Sequence, residues 1–397
     1  MTETILYIGS VMSSEVQQEY DLAYYSRAAD NKKRGIIASL QACDAEVTIV
    51  SPVFINNNTF QYHGGRKFDN NELGVTNHIP ATVDIYGLNY LFLAITTTVL
   101  MLKLLRNRDF DAILFYDFQI ETAVPALIGS SIYSVPQLLE YEDGLFFHDN
   151  TVIRWTAKVL RPICGRFIDG AVCVNEPLAE LLPTDNTTII RGFPSIGTSD
   201  ELPEPTYERE ETVVMFAGRF DDVRGINTFL EVAPEVKYDQ DEVAFWISGY
   251  GPDHEVERVK ARVEQLNDDR FSYFGTLPWE EYRKRVVSAD VAVNFQDPYH
   301  EISEYTFPSK LLDFMSAHTA VVSTEMSDLK KHFDDKFIIA GTSHRQLQNG
   351  LERVIETDET SETQLRKNLA REWIETECAR PTVGTKILRV INNVDST

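Results

Sequence analysis

The sequence predicts an α/β chain of two doubly wound, Rossmann-like halves, and three observations carry this. Short apolar runs alternate with helix-length segments along the whole chain. A stretch rich in Pro, Gly, Ser and Glu, "RGFPSIGTSDELPEPTYEREE" at 191–211, interrupts that alternation, which then restarts. A chain of 397 residues exceeds what one core holds, while 43% hydrophobic residues suffice to fill two.

In the first half the apolar runs are "TILYIG" (4–9), "AEVTIVSP" (45–52), "AILFYD" (112–117), "QLLEYE" (137–142) and "GAVCVN" (170–175). Such runs suit strands of a parallel sheet covered on both faces. Helices are expected in "NKKRGIIASLQAC", in "LNYLFLAITTTVLMLKLL" (88–105) and in "TVIRWTAKVLRPICGRFI", which makes the connections right-handed crossovers. The 88–105 run is long enough to cross a bilayer, yet it carries three threonines, an asparagine and a lysine and leads into a strand after "RNRDFD". It reads as a helix packed on the sheet, with a membrane-touching surface as the other reading. The basic residues Arg154, Lys158 and Arg161 are likewise either a solvated helix face or a contact for anionic lipid head groups. The opening "MTETILYIGS" runs straight into a strand without a signal peptide.

In the second half the strands are "TVVMFAG" (212–218), "VAFWISG" (243–249), "RFSYFG" (270–275), "ADVAVNF" (289–295), "TAVVST" (319–324) and "KFIIAG" (336–341). The domains are expected at 1–193 and 212–375, joined by a linker at 194–211. Ligands of such sheets bind outside the carboxyl ends of the strands.

A formal charge of -24 argues against a nucleic-acid duplex or an anionic membrane as a general electrostatic partner. Arginines outnumber lysines 23 to 14, which together with the acidity suits a high-salt cytoplasm as well as simple solubility. Cys43, Cys164, Cys173 and Cys378 form no CxxC pair and read as reduced thiols of a cytosolic protein. His148 and His300 lack the i, i+4 spacing of a metal pair, so no metal site is expected.

The chemistry-bearing motifs lie mainly in the second half. "FAGRFDDVRGINTFLEV" places Gly218 and Arg219 at a strand end and Arg224 just before a helix. A small residue admits a ligand to the backbone, and two guanidinium groups at a strand-to-helix turn can clamp a diphosphate. The other reading is two surface arginines answering Asp221 and Asp222. "ISGYGP" is a similar glycine turn. "EYTFPSKLLDFMSA" then starts a helix with Pro308 in its first turn, offering free amides to an anion. In the first half, "LLEYEDGLFF" puts Glu140, Glu142 and Asp143 at the end of a strand. They read as cleft acids or as carboxylates answering nearby arginines such as Arg154.

Taken in order, "AGRFDDVRG", "ISGYGP", "FSYFGTLPWEEY", "SADVAVNF", "TFPSKLLDFMSA" and "AVVST" resemble the carboxyl-terminal domain of GT-B retaining glycosyltransferases of the large family 4 type (glycosyl transferases group 1). "ILYIGS", "EVTIVSP", "LLEYEDG" and "CVNEPLAELL" extend the resemblance into the first half. It implies a GT-B fold, with two Rossmann-like domains facing across a cleft, and a closing helix at about 376–397 that returns to the first. It implies a metal-independent transferase that uses a nucleotide-diphosphate sugar, UDP- or GDP-linked, as donor substrate without a further cofactor. The acceptor is a glycan, glycolipid or related hydroxyl in cell-surface glycoconjugate synthesis, in the cytoplasm or at the inner face of the membrane.

Residue by residue, Arg219 and Arg224 match the family's basic pair on the donor diphosphate, beside Gly218. Thr306 and Phe307 match positions whose amides meet donor phosphate or sugar. Asp313 matches the second of two acids eight positions apart, the ribose-binding one. Tyr305 stands where the first acid belongs, with Glu304 and Glu301 near enough to substitute at the sugar. Glu142 and Asp143 fall where relatives commonly carry a His-Asp pair, which makes them the catalytic acids of the acceptor side. An inactive GT-B binding protein and a non-hydrolysing sugar-nucleotide epimerase share this architecture.

Overall fold

Two parallel sheets organise the chain. The computed structural model describes residues 2–11, 16–17, 27–55, 59–70, 72–147, 150–198, 201–205, 207, 210–238, 242–357 and 360–394. These fall into two units, Met1–Gly192 with Ala379–Thr397, and Phe193–Cys378.

The first unit is built on β1 (Thr4–Ile8), α1 (Arg27–Gln41), β2 (Glu46–Val50), β3 (Tyr62–His63), β4 (Arg66–Asn70), β5 (Val75–Ile79), β6 (Thr82–Val83), α2 (Leu88–Asn107), β7 (Ala112–Tyr116), α3 (Ile120–Tyr133), β8 (Gln137–Tyr141), α4 (Thr151–Cys164), β9 (Gly170–Cys173), α5 (Glu176–Glu180) and β10 (Thr187–Ile189). The sheet order is β10-β9-β8-β7-β1-β2-β5-β4, parallel except for β4 against β5, with β3 and β6 as a separate antiparallel pair. Its central strands are buried along nearly their whole length, as continuous apolar runs require. From β1 the chain winds first towards β2 and later, through β7, towards β10, so direction reverses between β1 and β7.

Helix α3 packs closely on α2 because Gly129 has no side chain: a Cβ there would stand 2.4 Å from the Met101 side chain. The helix Arg380–Val394 belongs to this unit as well. Gly384 lets it lie against α1, since a Cβ would meet the Ser39 carbonyl at 2.1 Å, and Asn186 donates to the Val390 carbonyl at 2.8 Å.

The second unit holds β11 (Thr212–Arg219), α6 (Ile226–Val232), β12 (Val243–Tyr250), α7 (Asp253–Leu266), β13 (Phe271–Gly275), α8 (Trp279–Ser288), β14 (Val291–Asn294), α9 (Glu301–Glu304), α10 (Lys310–Ser316), β15 (Ala320–Ser323), α11 (Leu329–Phe333), β16 (Ile338–Ile339), α12 (His344–Thr357) and α13 (Ser361–Glu377). The order β13-β12-β11-β14-β15-β16 is wholly parallel and reverses between β11 and β14. Phe216, Phe229, Phe245 and Phe295 form an aromatic core beneath that junction.

The segment expected as a linker, 194–211, does not hang free of the second unit. Ser195 is bonded to Asp313, and Tyr207 meets Trp246 edge to face and bonds Glu281, with the Arg285 guanidinium 4.7 Å from its ring. A tyrosine with so much area to bury finds the nearest aromatic surface.

Candidate functional site

The crevice of a doubly wound sheet opens where the strand order reverses. In the second unit that point lies between β11 and β14, and the loop after β11 shapes it. Gly225 begins α6 with φ 86°, and a Cβ there would stand 2.2 Å from the Phe295 carbonyl, so only glycine lets this turn press against the end of β14. The contact is pinned by Asp297, whose N–H donates to the Val223 carbonyl at 2.9 Å.

Pressing the turn there places Arg224 over the crevice. Its backbone N–H donates to Asp221 Oδ1 at 2.8 Å and its Nη1 to Gln296 Oε1 at 3.1 Å. Gln296 is buried, and its amide nitrogen donates onward to Ser303 Oγ at 2.9 Å and Thr306 Oγ1 at 3.5 Å. Arg224, Gln296 and Thr306 thus form one chain of polar contacts. Arg219 is exposed, with Nε 3.3 Å from Asp221 Oδ2. Asp221 therefore pairs with the exposed Arg219 guanidinium and holds the Arg224 backbone, while Gln296 orients the Arg224 guanidinium.

A third cation, absent from the sequence reading, stands beside them. Lys310, first residue of α10, lies with its Nζ 4.6 Å from the centroid of the Phe216 ring and with its side chain 3.5 Å from where a Cβ of Gly218 would be. Its ammonium is lowered to about 7, by burial first and then by the Arg224 charge, with Asp221 opposing both. The signal was present in "FPSKLL": a lysine in the first turn of a helix faces the unfavourable end of the dipole, which asks for an anionic partner. Gln296 left no sequence signal, since one amide after an apolar strand looks like any loop residue.

Thr306 and Phe307 are both buried, the Phe307 ring lying 6.0 Å from that of Phe333. Helix α10 starts at Lys310, two residues beyond Pro308, so these amides belong to the preceding loop. Tyr305 closes α9 with its N–H on the Ile302 carbonyl at 3.0 Å, Glu304 is exposed, and His300 caps the same helix by accepting from Ile302 N at 3.3 Å. His148 lies outside the described residues.

Asp313, expected as the ribose ligand, stands among donors from the protein itself. It is buried, and its carboxylate accepts from Ser195 N at 2.5 Å, Ser195 Oγ at 2.7 Å, Ile196 N at 3.3 Å and Tyr282 Oη at 3.1 Å. Burial raises its carboxyl, and these donors pull the other way. Its oxygens are engaged by the protein, so it acts as the anchor of residues 195–196.

The first unit carries its acids at the corresponding reversal. Asp117 follows β7 with φ 52° and is fully buried, and its N–H donates to the Glu140 carbonyl at 2.8 Å. Glu140 accepts from Tyr7 Oη at 2.6 Å within the sheet. Glu142 pairs with Lys32 Nζ at 2.5 Å, and Lys32 also donates to the Ile190 carbonyl at 2.5 Å. The partner of Glu142 is thus Lys32 of α1 rather than Arg154. Burial pushes Glu142 up to about 8, Lys32 pulling against it and Glu140 adding to it. Lys33 lies 4.6 Å from the Tyr116 ring, its ammonium lowered by burial. Asp143 alone of the three acids is exposed.

Residues 211–357 match the family described as Glycosyl transferases group 1. No curated protein sequence matches the chain. Among solved structures, the chain is similar to sucrose-phosphate synthase (tll1590) from Thermosynechococcus elongatus, with 12% identity, 99% of each chain covered and a TM-score of 0.72. It is similar to the catalytic domain of starch synthase IV from Arabidopsis thaliana bound to ADP and acarbose, with 11% identity, 100% of each chain and a TM-score of 0.70. It is also similar to Anabaena Alr3699/HepE in complex with UDP, with 14% identity, 99% of this chain, 100% of that one and a TM-score of 0.64. Two Rossmann-like units along the whole length give this chain the GT-B fold, and its second unit carries the match to the glycosyl transferases group 1 family.

Proposed function

We propose that the chain transfers a sugar from a UDP- or GDP-linked donor to a hydroxyl of a glycan or lipid-linked acceptor, with retention of configuration, on the cytoplasmic side of a membrane. One observation carries the reading: Arg219, Arg224 and Lys310 gather at the switch point of the second sheet, beside a glycine strand end. Three cations in one crevice of a protein of charge -24 need an anionic ligand. A nucleoside diphosphate fits, and the relatives solved with UDP and with ADP support it.

The mechanism follows from the charges. As the bond from sugar to diphosphate breaks, negative charge grows on the leaving phosphate, where Arg224, held by Asp221 and Gln296, is already oriented. Lys310 adds a cation whose proton the arriving diphosphate stabilises. Amides of Thr306 and Phe307 complete the phosphate contacts, with Tyr305 and Glu304 towards the sugar. No metal ion enters the reading, because side-chain cations meet the charge. On the acceptor side Asp143 is the exposed acid, and Glu142, tied to Lys32, positions it.

A thermal-shift series with UDP, GDP, ADP and their sugars tests this. A ligand at one hundred times its Kd raises stability by about 2.7 kcal/mol. Arg224→Ala is expected to abolish the shift, and a parent protein that responds to no diphosphate ends the proposal. Turnover of labelled donor only when acceptor is present separates a transferase from an epimerase and from a binding protein.

A further inference from the structure

The large hydrophobic side chains that remain exposed are gathered on one part of the first unit. Of fifteen among the described residues, twelve lie between Phe60 and Phe167. Their spacing is helical. Leu88, Leu91, Ile95 and Val99 form a stripe along the outer face of α2, continued by the exposed Lys103 and Arg106. The opposite face of α2, with Leu93, Thr97, Met101 and Leu105, is buried, and Met101 and Leu105 lie against α3 at Gly129. Helix α4 repeats the arrangement: Val152, Trp155 and Ile163 are exposed, and Ala157, Leu160 and Cys164 are buried.

Helices α2, α3 and α4 make one layer. α3 touches both of its neighbours, and the Asn150 side chain, capping α4, donates to Tyr86 Oη at 3.2 Å, just before α2. The Tyr62 ring meets Phe92 of α2 edge to face, adding an aromatic rim at the same end.

The charge of the layer opposes that of the chain. α2 and α4 hold no acid at all, and α3 holds only Glu121, which is buried. Lys103, Arg106, Arg154, Lys158 and Arg161 give the three helices five basic residues within a protein of charge -24.

We propose that the first unit docks on an anionic phospholipid bilayer, lying flat on it through the outer faces of α2 and α4. Apolar stripes, tyrosine and tryptophan at their edges and flanking lysine and arginine are what the boundary between head groups and acyl chains takes up. An acid-free face is the one way so acidic a chain approaches an anionic surface. A second copy of the chain is the poorer occupant, because a two-fold contact would set five cations against five. α2 is long and apolar enough to cross a bilayer, but its buried face packs within the unit, so it lies on the membrane. The proposal rests on this surface alone and stands or falls apart from the donor site.

Flotation of the full chain with vesicles tests it, using phosphatidylcholine alone and phosphatidylcholine with about one-third phosphatidylglycerol. The chain is expected to float with the anionic vesicles, less so as salt is added, and to stay behind with phosphatidylcholine. Lys103→Ala and Lys158→Ala should each lower the partition coefficient about fivefold. Ile95→Glu with Val99→Glu should lower it at least tenfold while leaving the melting temperature unchanged, since both side chains already face water. A parent that never floats, or a double variant that floats as the parent does, overturns the proposal. So does a parent that stays in solution as a dimer which the double variant splits, since the face then belongs to a second copy.

Discussion

Lys310 shows how a single side chain couples fold to chemistry. Its ammonium is held near neutrality by burial and by Arg224, so an empty site at alkaline pH is largely deprotonated there. A bound diphosphate restores the proton, and calorimetry at about pH 8 in buffers of different ionisation heat should record uptake of nearly one proton per nucleotide. Lys310→Gln should abolish that uptake and weaken binding by about tenfold, and an unchanged proton count would remove Lys310 from the site. Gly225→Ala is a second test: the left-handed backbone and the 2.2 Å approach to Phe295 both exclude a methyl group. A loss of at least about 3 kcal/mol is expected in urea unfolding. The strand end at Gly218 and Arg219 was legible in the sequence from its apolar run and glycine, while spacing alone left a surface reading of the arginines open. The engagement of Asp313 was not legible, since its partners lie 117 and 118 positions away.

At the scale of elements, buried carboxyls make stability depend on pH. Glu121 sits in the first turn of α3, where burial raises its carboxyl to about 7 from the ordinary glutamate value of 4.5, with a backbone hydrogen bond pulling the other way. The folded state therefore keeps a proton that the unfolded chain has lost, so its contribution is present at acid pH and disappears as pH rises from about 4.5 to 7. Glu121→Gln should flatten this slope, gaining about 3 kcal/mol at pH 8 relative to the parent in urea midpoints. Asp313→Ala acts elsewhere, on the segment that α10 holds. Leaving Ser195, Ile196 and Tyr282 without their acceptor should cost roughly 3 kcal/mol and speed hydrogen exchange at the Ser195 and Ile196 amides. The long buried strands of both sheets were legible as apolar runs. Residues 62–83 were not, because β3 to β6 are short or alternate with exposed polar side chains such as those of Arg66–Asn70, and periodicity over so few positions resembles a loop.

For the whole molecule, restarted alternation after 191–211 announced two sheets, and each sheet reverses its order once. The sequence did not tell where the second unit begins, because composition marks 194–211 as loose while Ser195 and Tyr207 tie it down with aromatic and hydrogen-bonded contacts. A charge of -24 also predicts a collective response: self-repulsion falls as ions screen it, so the melting temperature should climb between low and molar salt, and a flat profile would count against a high-salt origin. The helix Arg380–Val394 bears on how the chain is made. It seats Gly384 against Ser39, yet it is synthesised after every residue of the second unit. Unit 2 is continuous and can close as it leaves the ribosome. Unit 1, begun first, finishes last: its α1 surface stays bare through the synthesis of the whole second unit, which makes that surface the place where a chaperone has longest to act on the nascent chain.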